Sequence, residues 1–301
     1  MRAEKASGVL ARLLGARGAK RFLENHWPHH TFLFHGARKR LGGLTDIPEL
    51  ESVESLLCCP ADRLMVQNDH RTLVCKSRDE ARELYDWGYQ IYWDNIQPES
   101  ASFAAWLRGL EDELGLPRGL VRCNAFACSR ECTTVPGFHF DYGEGFTIQV
   151  RGKKRWRYLG NRHVRYPDFT YMLGEWVEPD KKHFFSRGAP ERLPVGKSVV
   201  MKPGSVLFLP RGAWHTTVPI GASLHIDIDV ETPTWGTVIL QALERELIRE
   251  ERWREPIDTH SRQRTENAEE RLRELLDELS GRVGRFDARR TLKRAGLESN
   301  A

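Results

Sequence analysis

Between residues 121 and 232 the chain consists of short β-rich runs separated by turn signals: Pro136-Gly137, Pro203-Gly204 and Pro210-Arg211-Gly212. Runs of this length, punctuated in this way, fold as an antiparallel sandwich or barrel, because each turn returns the chain beside the strand it has just left. The flanks differ. "DEARELYDWGY" and "SFAAWLRGLEDELG" read as amphipathic helices, the second stopped by Gly115 and Pro117. Beyond Pro233, "TVILQALERELIREERW" and "NAEERLRELLDEL" place apolar residues at helical spacing, and the polar "DTHSRQRTEN" between them reads as a linker or loop. The expected organisation is a mainly β domain over 1–236 with helices on its amino-terminal flank, followed by a helical segment over 237–301.

Charge narrows the partners. Forty-six Lys and Arg against 42 Asp and Glu leave +4, with the two signs mostly interleaved, so the chain gives no direct nucleic-acid signal. The basic start, "MRAEKASGVLARLLGARGAKRFLENHW", has its apolar run from Gly8 to Leu14 broken by Arg12 and no small-residue cleavage site after it. It reads as a helix with Val9, Leu13 and Leu14 on one face, and no other segment approaches a membrane span. Cys58, Cys59, Cys75, Cys123, Cys128 and Cys132 form neither a disulfide framework nor paired CxxC zinc spacing. Reduced thiols in a cytoplasm are expected, with Cys123, Cys128 and Cys132 read as buried or loop thiols.

The chemistry concentrates in "PGFHFDYGEGFTIQVRGKKRW", residues 136–156. Two apart on a strand, His139 and Asp141 project to one side of the sheet. A third ligand from His215, delivered by the turn in "PGSVLFLPRGAWHTTV", completes a two-histidine, one-carboxylate set that suits divalent iron and leaves coordination positions open. In "KKRWRYL", Lys154, Trp156 and Tyr158 share one side of a strand and Lys153, Arg155 and Arg157 the other. The inward Lys154 needs an anionic partner, since a buried ammonium without one is costly. A bound carboxylate or a protein acid would serve. On "SLHIDIDV", either Leu224, Ile226, Ile228 and Val230 or Ser223, His225, Asp227 and Asp229 must face the cavity. His163 and His183 read as surface residues in an insertion over 160–195, whose aromatics Tyr166, Phe169, Tyr171, Trp176 and Phe184 suit a lid or substrate wall.

The HFD triplet, with Phe146, Gln149, Gly152, Lys154 to Trp156 and the distal PGSVLFLPRGAWH segment, resembles the JmjC/cupin-like iron(II) and 2-oxoglutarate-dependent oxygenases, especially their bacterial ribosomal-oxygenase-like branch. The resemblance covers roughly 120–235. It implies a double-stranded β-helix (the cupin/JmjC jelly roll), with iron(II) on His139, Asp141 and His215. It also implies 2-oxoglutarate as cosubstrate with its distal carboxylate on Lys154, dioxygen as oxidant, and Asn124 lining the cosubstrate site. Phe126 stands where several relatives have a tyrosine, and Thr147 is expected to supply the missing hydroxyl. The loop from Cys128 to Val135 is slightly longer than in those relatives. The implied activity is hydroxylation of a C–H bond, in a residue of a protein or peptide or, as the alternative, in a free amino acid or small metabolite. Two rivals remain: a cupin-like module holding a structural metal without turnover, and a metal-dependent isomerase or dioxygenase that uses no 2-oxoglutarate. Apolar faces on the carboxy-terminal helices, with the resemblance to dimerising relatives, lead to an expected homodimer.

Overall fold

The structure, a computed structural model, describes residues 8–37, 41, 44, 47–68, 71–96, 101–133 and 136–297. Residues 1–7 of the amino-terminal stretch, and Thr134 and Val135 of the loop after Cys128, lie outside the described residues. The chain divides into two compact units, one of residues 1–114 and 118–232, the other of 115–117 and 233–301.

Among the described residues the first unit is an eleven-stranded antiparallel jelly roll with flanking helices. Its frame is a pair of long strands, β7 (Glu144–Leu159) and β11 (Trp214–Val230), hydrogen-bonded to each other along most of their length. The first half of β7 and the second half of β11 sit in one broad sheet. There β7 also pairs with β10 (Ser205–Leu209), which carries β1 (Phe32–His35) at the edge. On the other side β11 pairs with β5 (Val121–Cys128), followed by β4 (Gln90–Ile96), β2 (Ala61–Gln67) and β3 (Thr72–Val74). The remaining halves enter a smaller array. Its order is β9 (Lys197–Met201), β7, β11, β6 (His139–Phe140) and β8 (Tyr171–Met172).

The switch between the halves occurs at a bulge. Gly152 has φ 63°, and a Cβ built there would lie 2.0 Å from the Ala222 carbonyl oxygen of β11. Only glycine permits this left-handed turn and close approach. The register of β11 slips opposite it, between Ile220, Leu224 and His225. An uninterrupted strand would put Thr147 and Lys154 on opposite faces. The extra residue turns both inward.

Both faces of the broad sheet are covered. Leu224, Ile226, Ile228 and Val230 are buried on the side where Phe22 of α2 (Ala16–Asn25) packs on Phe146 and Phe208 with ring centroids 5.3 and 5.0 Å apart. His225, Asp227 and Asp229 face the interior cavity instead, which decides between the two faces left open by the sequence. Val9, Leu13 and Leu14 are buried on one side of α1 (Val9–Leu14), the short α3 (Val53–Cys58) precedes β2, and α4 (Arg78–Asp86) and α5 (Ala101–Leu114) form where their patterns place them.

Two expectations change. The stretch read as a linker is helical from Arg262, within α7 (Arg262–Val283). The Ser261 side chain caps the Arg264 N–H at 3.3 Å, and Arg262–Glu266 and Gln263–Asn267 side-chain contacts span the first turns. In the insertion, Phe169, Phe184 and Tyr171 do not form a lid. They pack with Phe140, Phe185 and Trp214 as a satellite core, and its polar neighbours Thr170 and Glu175 reach the cavity wall. The second unit holds α6 (Trp235–Leu247), α7 and α8 (Ala288–Arg294). Among the described residues no helix is long and apolar enough to cross a membrane.

The bulge is directly testable. Gly152→Ala should cost at least about 2–4 kcal/mol, from a strained backbone and a clash with backbone atoms that cannot swing away. Urea denaturation measures it, and a loss below about 1 kcal/mol would show that the strands separate easily at this point.

Candidate metal centre and its cavity

His139, Asp141 and His215 meet at the mouth of the barrel, with one ligand atom from each within 4.8 Å of the others. The strand register brings them together: His215 on β11 is paired directly with His139 on β6, and Asp141 follows β6 by one residue. The His215 Nε2 lies 3.4 Å from Asp141 Oδ2, and the two imidazole centroids are 4.2 Å apart.

Each histidine is held in the same local way. The His139 Nδ1 is 2.8 Å from the Gly137 carbonyl and the His215 Nδ1 is 3.0 Å from the Ala213 carbonyl, in both cases two residues back along the chain. A proton on Nδ1 donated to that carbonyl leaves the Nε2 lone pair free. Burial, reinforced by His139, lowers the His215 pKa to about 4, so its imidazole is neutral at physiological pH. The Thr170 hydroxyl donates to Asp141 Oδ1 at 3.1 Å and the Gly212 N–H to the Asp141 carbonyl at 2.9 Å. Two imidazoles that present Nε2 and an oriented carboxylate form a donor set that fits divalent iron.

Behind the cluster lies a cavity of about 370 Å³, lined among others by Gln90, Asn124, Lys154, Trp156, His225 and Asp227. Lys154, 1% exposed, donates to the Gln90 side-chain oxygen. Among the described residues it makes no ion pair with a carboxylate, so the protein-acid alternative for its partner is not met. Trp156 stacks on the His215 ring at 5.8 Å, and its indole N–H is buried without a partner among the described residues. The same holds for Gln149 Oε1, His225 Nδ1 and Asp227 Oδ1. A buried ammonium with no carboxylate in ion-pair contact among the described residues, surrounded by unsatisfied polar atoms, fits an anionic polar ligand.

The two further cosubstrate contacts expected from sequence are placed differently. Asn124 lines the cavity with both ends of its amide engaged: Nδ2 donates to Asp229 Oδ2 at 2.6 Å and Oδ1 accepts from the Asn95 N–H at 2.7 Å. Thr147 lines an adjoining cavity of about 280 Å³ and its hydroxyl bonds to Asp227. Phe126 lies flat between Tyr92 and His225, at 4.5 and 4.9 Å, as the middle ring of a three-ring stack. The residues missed are Gln90 and Tyr92. The alternation Gln90, Tyr92, Asp94 against Ile91, Trp93 was the available signal, since β4 turns its polar side toward the cavity. His163 and His183 line neither cavity.

Residues 111–238 match the JmjC domain. The chain is 30% identical over 267 residues to YxbC of Bacillus subtilis (strain 168), covering 84% of this chain and 79% of that protein. The chain belongs to the JmjC-domain family. Ribosomal oxygenase 2 of Rattus norvegicus is 28% identical over 109 residues, which are 35% of this chain and 20% of that protein. Among solved structures, Escherichia coli YcfD superposes with a TM-score of 0.52 at 19% identity, over 85% of this chain and 67% of YcfD, a likeness of fold.

The acid side of the JmjC cavity has a pH signature. Burial pushes the Asp227 carboxyl up to about 7, against the opposing pull of its Thr147 hydrogen bond and of Lys154. The folded protein thus keeps a proton that the unfolded chain has already lost, and Asp227 destabilises the fold increasingly from about pH 4 to pH 7 and fully above. Asp227→Asn removes this titration. In urea denaturation of metal-free protein the variant should equal the parent near pH 4 and exceed it by about 2–4 kcal/mol at pH 8. A constant difference across that range would contradict the assignment.

Proposed function

We propose that the protein is an iron(II)- and 2-oxoglutarate-dependent oxygenase that hydroxylates a C–H bond. The observation that carries this reading is one cavity with two ends: three metal-ligand atoms within 4.8 Å of one another at its mouth, and a buried lysine without an acid at its back. A structural metal needs no such lysine, which disfavours a non-catalytic cupin module. An isomerase or a dioxygenase without a dicarboxylate cosubstrate leaves the lysine equally unexplained.

With iron bound at the triad, 2-oxoglutarate and dioxygen supply the oxidising power, with succinate and carbon dioxide as by-products. The chain's residues position and protect. His139 and His215 present Nε2 because their Nδ1 protons are committed to backbone carbonyls, and Asp141 is oriented by Thr170. Lys154 would neutralise the far carboxylate of the bound cosubstrate from the back of the cavity. Trp156 packs against His215 and shields the inner side of the triad from water.

For the substrate, similarity to an oxygenase named for the ribosome supports a residue of a protein or peptide; a free amino acid or small metabolite is the second reading. The six cysteines, none in a disulfide, support a cytoplasmic setting. A homodimer through residues 237–301 is supported by α7, on which Leu272 and Leu276 are more than half exposed.

Protein purified without oxygen and supplied with iron(II), 2-oxoglutarate and air should release succinate, and His139→Ala, Asp141→Ala or His215→Ala should abolish the release. Lys154→Ala should raise the 2-oxoglutarate requirement roughly 10- to 150-fold, the loss of a charge-assisted contact, while sparing metal affinity. Lys153→Ala, on the outer face, should change neither; a larger effect there would reverse the assignment. Full-length protein should sediment as a dimer at micromolar concentration and a truncation after Thr237 as a monomer that still releases succinate. A monomeric full-length protein overturns the dimer.

A further inference from the structure

Apart from the metal triad, the described residues hold a second reactive cluster, and it borders the Lys154 end of the cavity. Cys128 closes β5, and Cys132 follows after a turn in which the Cys132 N–H donates to the Ser129 carbonyl at 3.4 Å. That turn is docked firmly. The Tyr85 hydroxyl donates to the Cys128 carbonyl at 3.3 Å, and Gly88, at φ 92°, lets the Glu131 carbonyl approach to where a Cβ would be 2.7 Å away.

Both thiols are buried and form a small cluster of their own. The Cys132 thiol hydrogen-bonds the Cys128 sulfur. The Cys128 thiol in turn lies 3.4 Å from Gln90 Oε1, the atom that also accepts from the Lys154 ammonium. Two sulfurs in hydrogen-bond contact are thus one amide oxygen away from the residue assigned to the cosubstrate carboxylate.

Cys75 and Cys123 lack this setting. Burial pushes Cys75 up to about 11 and Cys123 well above the ordinary thiol value. The Cys132 hydrogen bond, aided by Lys154 and opposed by burial, brings Cys128 down to about 6. A thiolate with a second thiol beside it is the chemistry of an oxidisable pair.

We propose that Cys128 and Cys132 are a peroxide-oxidisable dithiol, and that closing their disulfide strengthens the hold of Lys154 on the cosubstrate carboxylate. The identity of that ligand rests on the oxygenase reading; the thiol chemistry does not. The Cys128 thiolate attacks one oxygen of hydrogen peroxide, the O–O bond breaks, and the departing hydroxide takes a proton to become water. Cys128 is then a sulfenic acid. The Cys132 sulfur attacks it, the S–O bond breaks, and the leaving hydroxide carries off the Cys132 proton as a second water. Two thiols and one peroxide give one disulfide and two waters. Gln90 and Lys154, the neighbours of Cys128, line the cavity, which is the side from which peroxide would approach.

The coupling follows from the contact between Cys128 and Lys154. In the reduced pair the Cys128 thiolate accepts a hydrogen bond from the Lys154 ammonium and engages its charge. A disulfide carries no charge, so the ammonium is released to an incoming carboxylate. One hydrogen bond redistributed in this way corresponds to about a two- to tenfold change in affinity.

The test uses full-length protein, with manganese(II) as a redox-quiet metal, before and after hydrogen peroxide. The treated protein should lose the mass of two hydrogens and give a peptide map joining Cys128 to Cys132. Its dissociation constant for 2-oxoglutarate by calorimetry should fall about two- to tenfold, with dithiothreitol restoring both. Cys132→Ser should gain one oxygen at Cys128 and form no link. A map without the Cys128–Cys132 link overturns the proposal, and so does the link with unchanged affinity. Reduced protein that binds no 2-oxoglutarate overturns the oxygenase reading and the coupling, while the peptide map still decides whether the pair exists.

Discussion

No side chain fits between Gly152 and the Ala222 carbonyl, and the functional half of the molecule depends on that contact. It shifts the side-chain phase of β7 by one residue at the point where β7 and β11 pass from the broad sheet into the smaller array. Thr147 and Gln149 before the bulge, and Lys154 and Trp156 after it, therefore point into one barrel. Without the extra residue, either Lys154 or Asp227's partner Thr147 would face outward. A single backbone irregularity thus decides whether the barrel has a two-ended polar cavity or an ordinary apolar interior.

That cavity is electrostatically expensive. It holds a lysine without an acid partner and two carboxyls, Asp227 and Asp229, whose pKa values burial drives upward. The Asp229 carboxyl is offset by Asn124, and Arg63, which ion-pairs with Asp94, lines the adjoining cavity. Groups so poorly compensated do not stabilise a fold; hydrophobic residues of the same volume would do so better. The stability comes from the opposite face, where Leu224, Ile226, Ile228 and Val230 alternate with the cavity residues and are buried beneath the helical flank. One strand carries both layers, and the period of two keeps them apart.

The jelly roll and the triad were legible because their signals are local. Turn signals and short β runs mark the strands, and the HxD spacing with a turn-delivered histidine marks the ligands. The parity of Lys154 was legible for the same reason. The surroundings of Lys154 were not, because Gln90 and Cys128 reach it from β4 and β5 through pairings between distant segments. The helix start at Arg262 was obscured by composition: a polar stretch looks like a linker unless its Ser261 cap and i,i+4 pairs are counted. The aromatics of the insertion misled in the other direction, since Phe169 and Phe184 cover Phe140 instead of the cavity mouth.

The same division between local and distant contacts separates two binding energies. Each triad histidine is oriented by a carbonyl two residues behind it, and the pair meets through one β6–β11 register position. That geometry needs little from the rest of the barrel. The lysine end is assembled from β4, β5 and β7, so its geometry is sensitive to any strain passed through those strands. Metal affinity and carboxylate affinity therefore respond to different parts of the fold. A perturbation at the Cys128 turn reaches the lysine directly and through the Gln90 amide, whereas the triad is buttressed separately by Trp156 stacked on His215. Under the dithiol proposal, control at the turn would act on the Lys154 end of the cavity and leave the triad residues in position, the arrangement a redox input to this cavity requires.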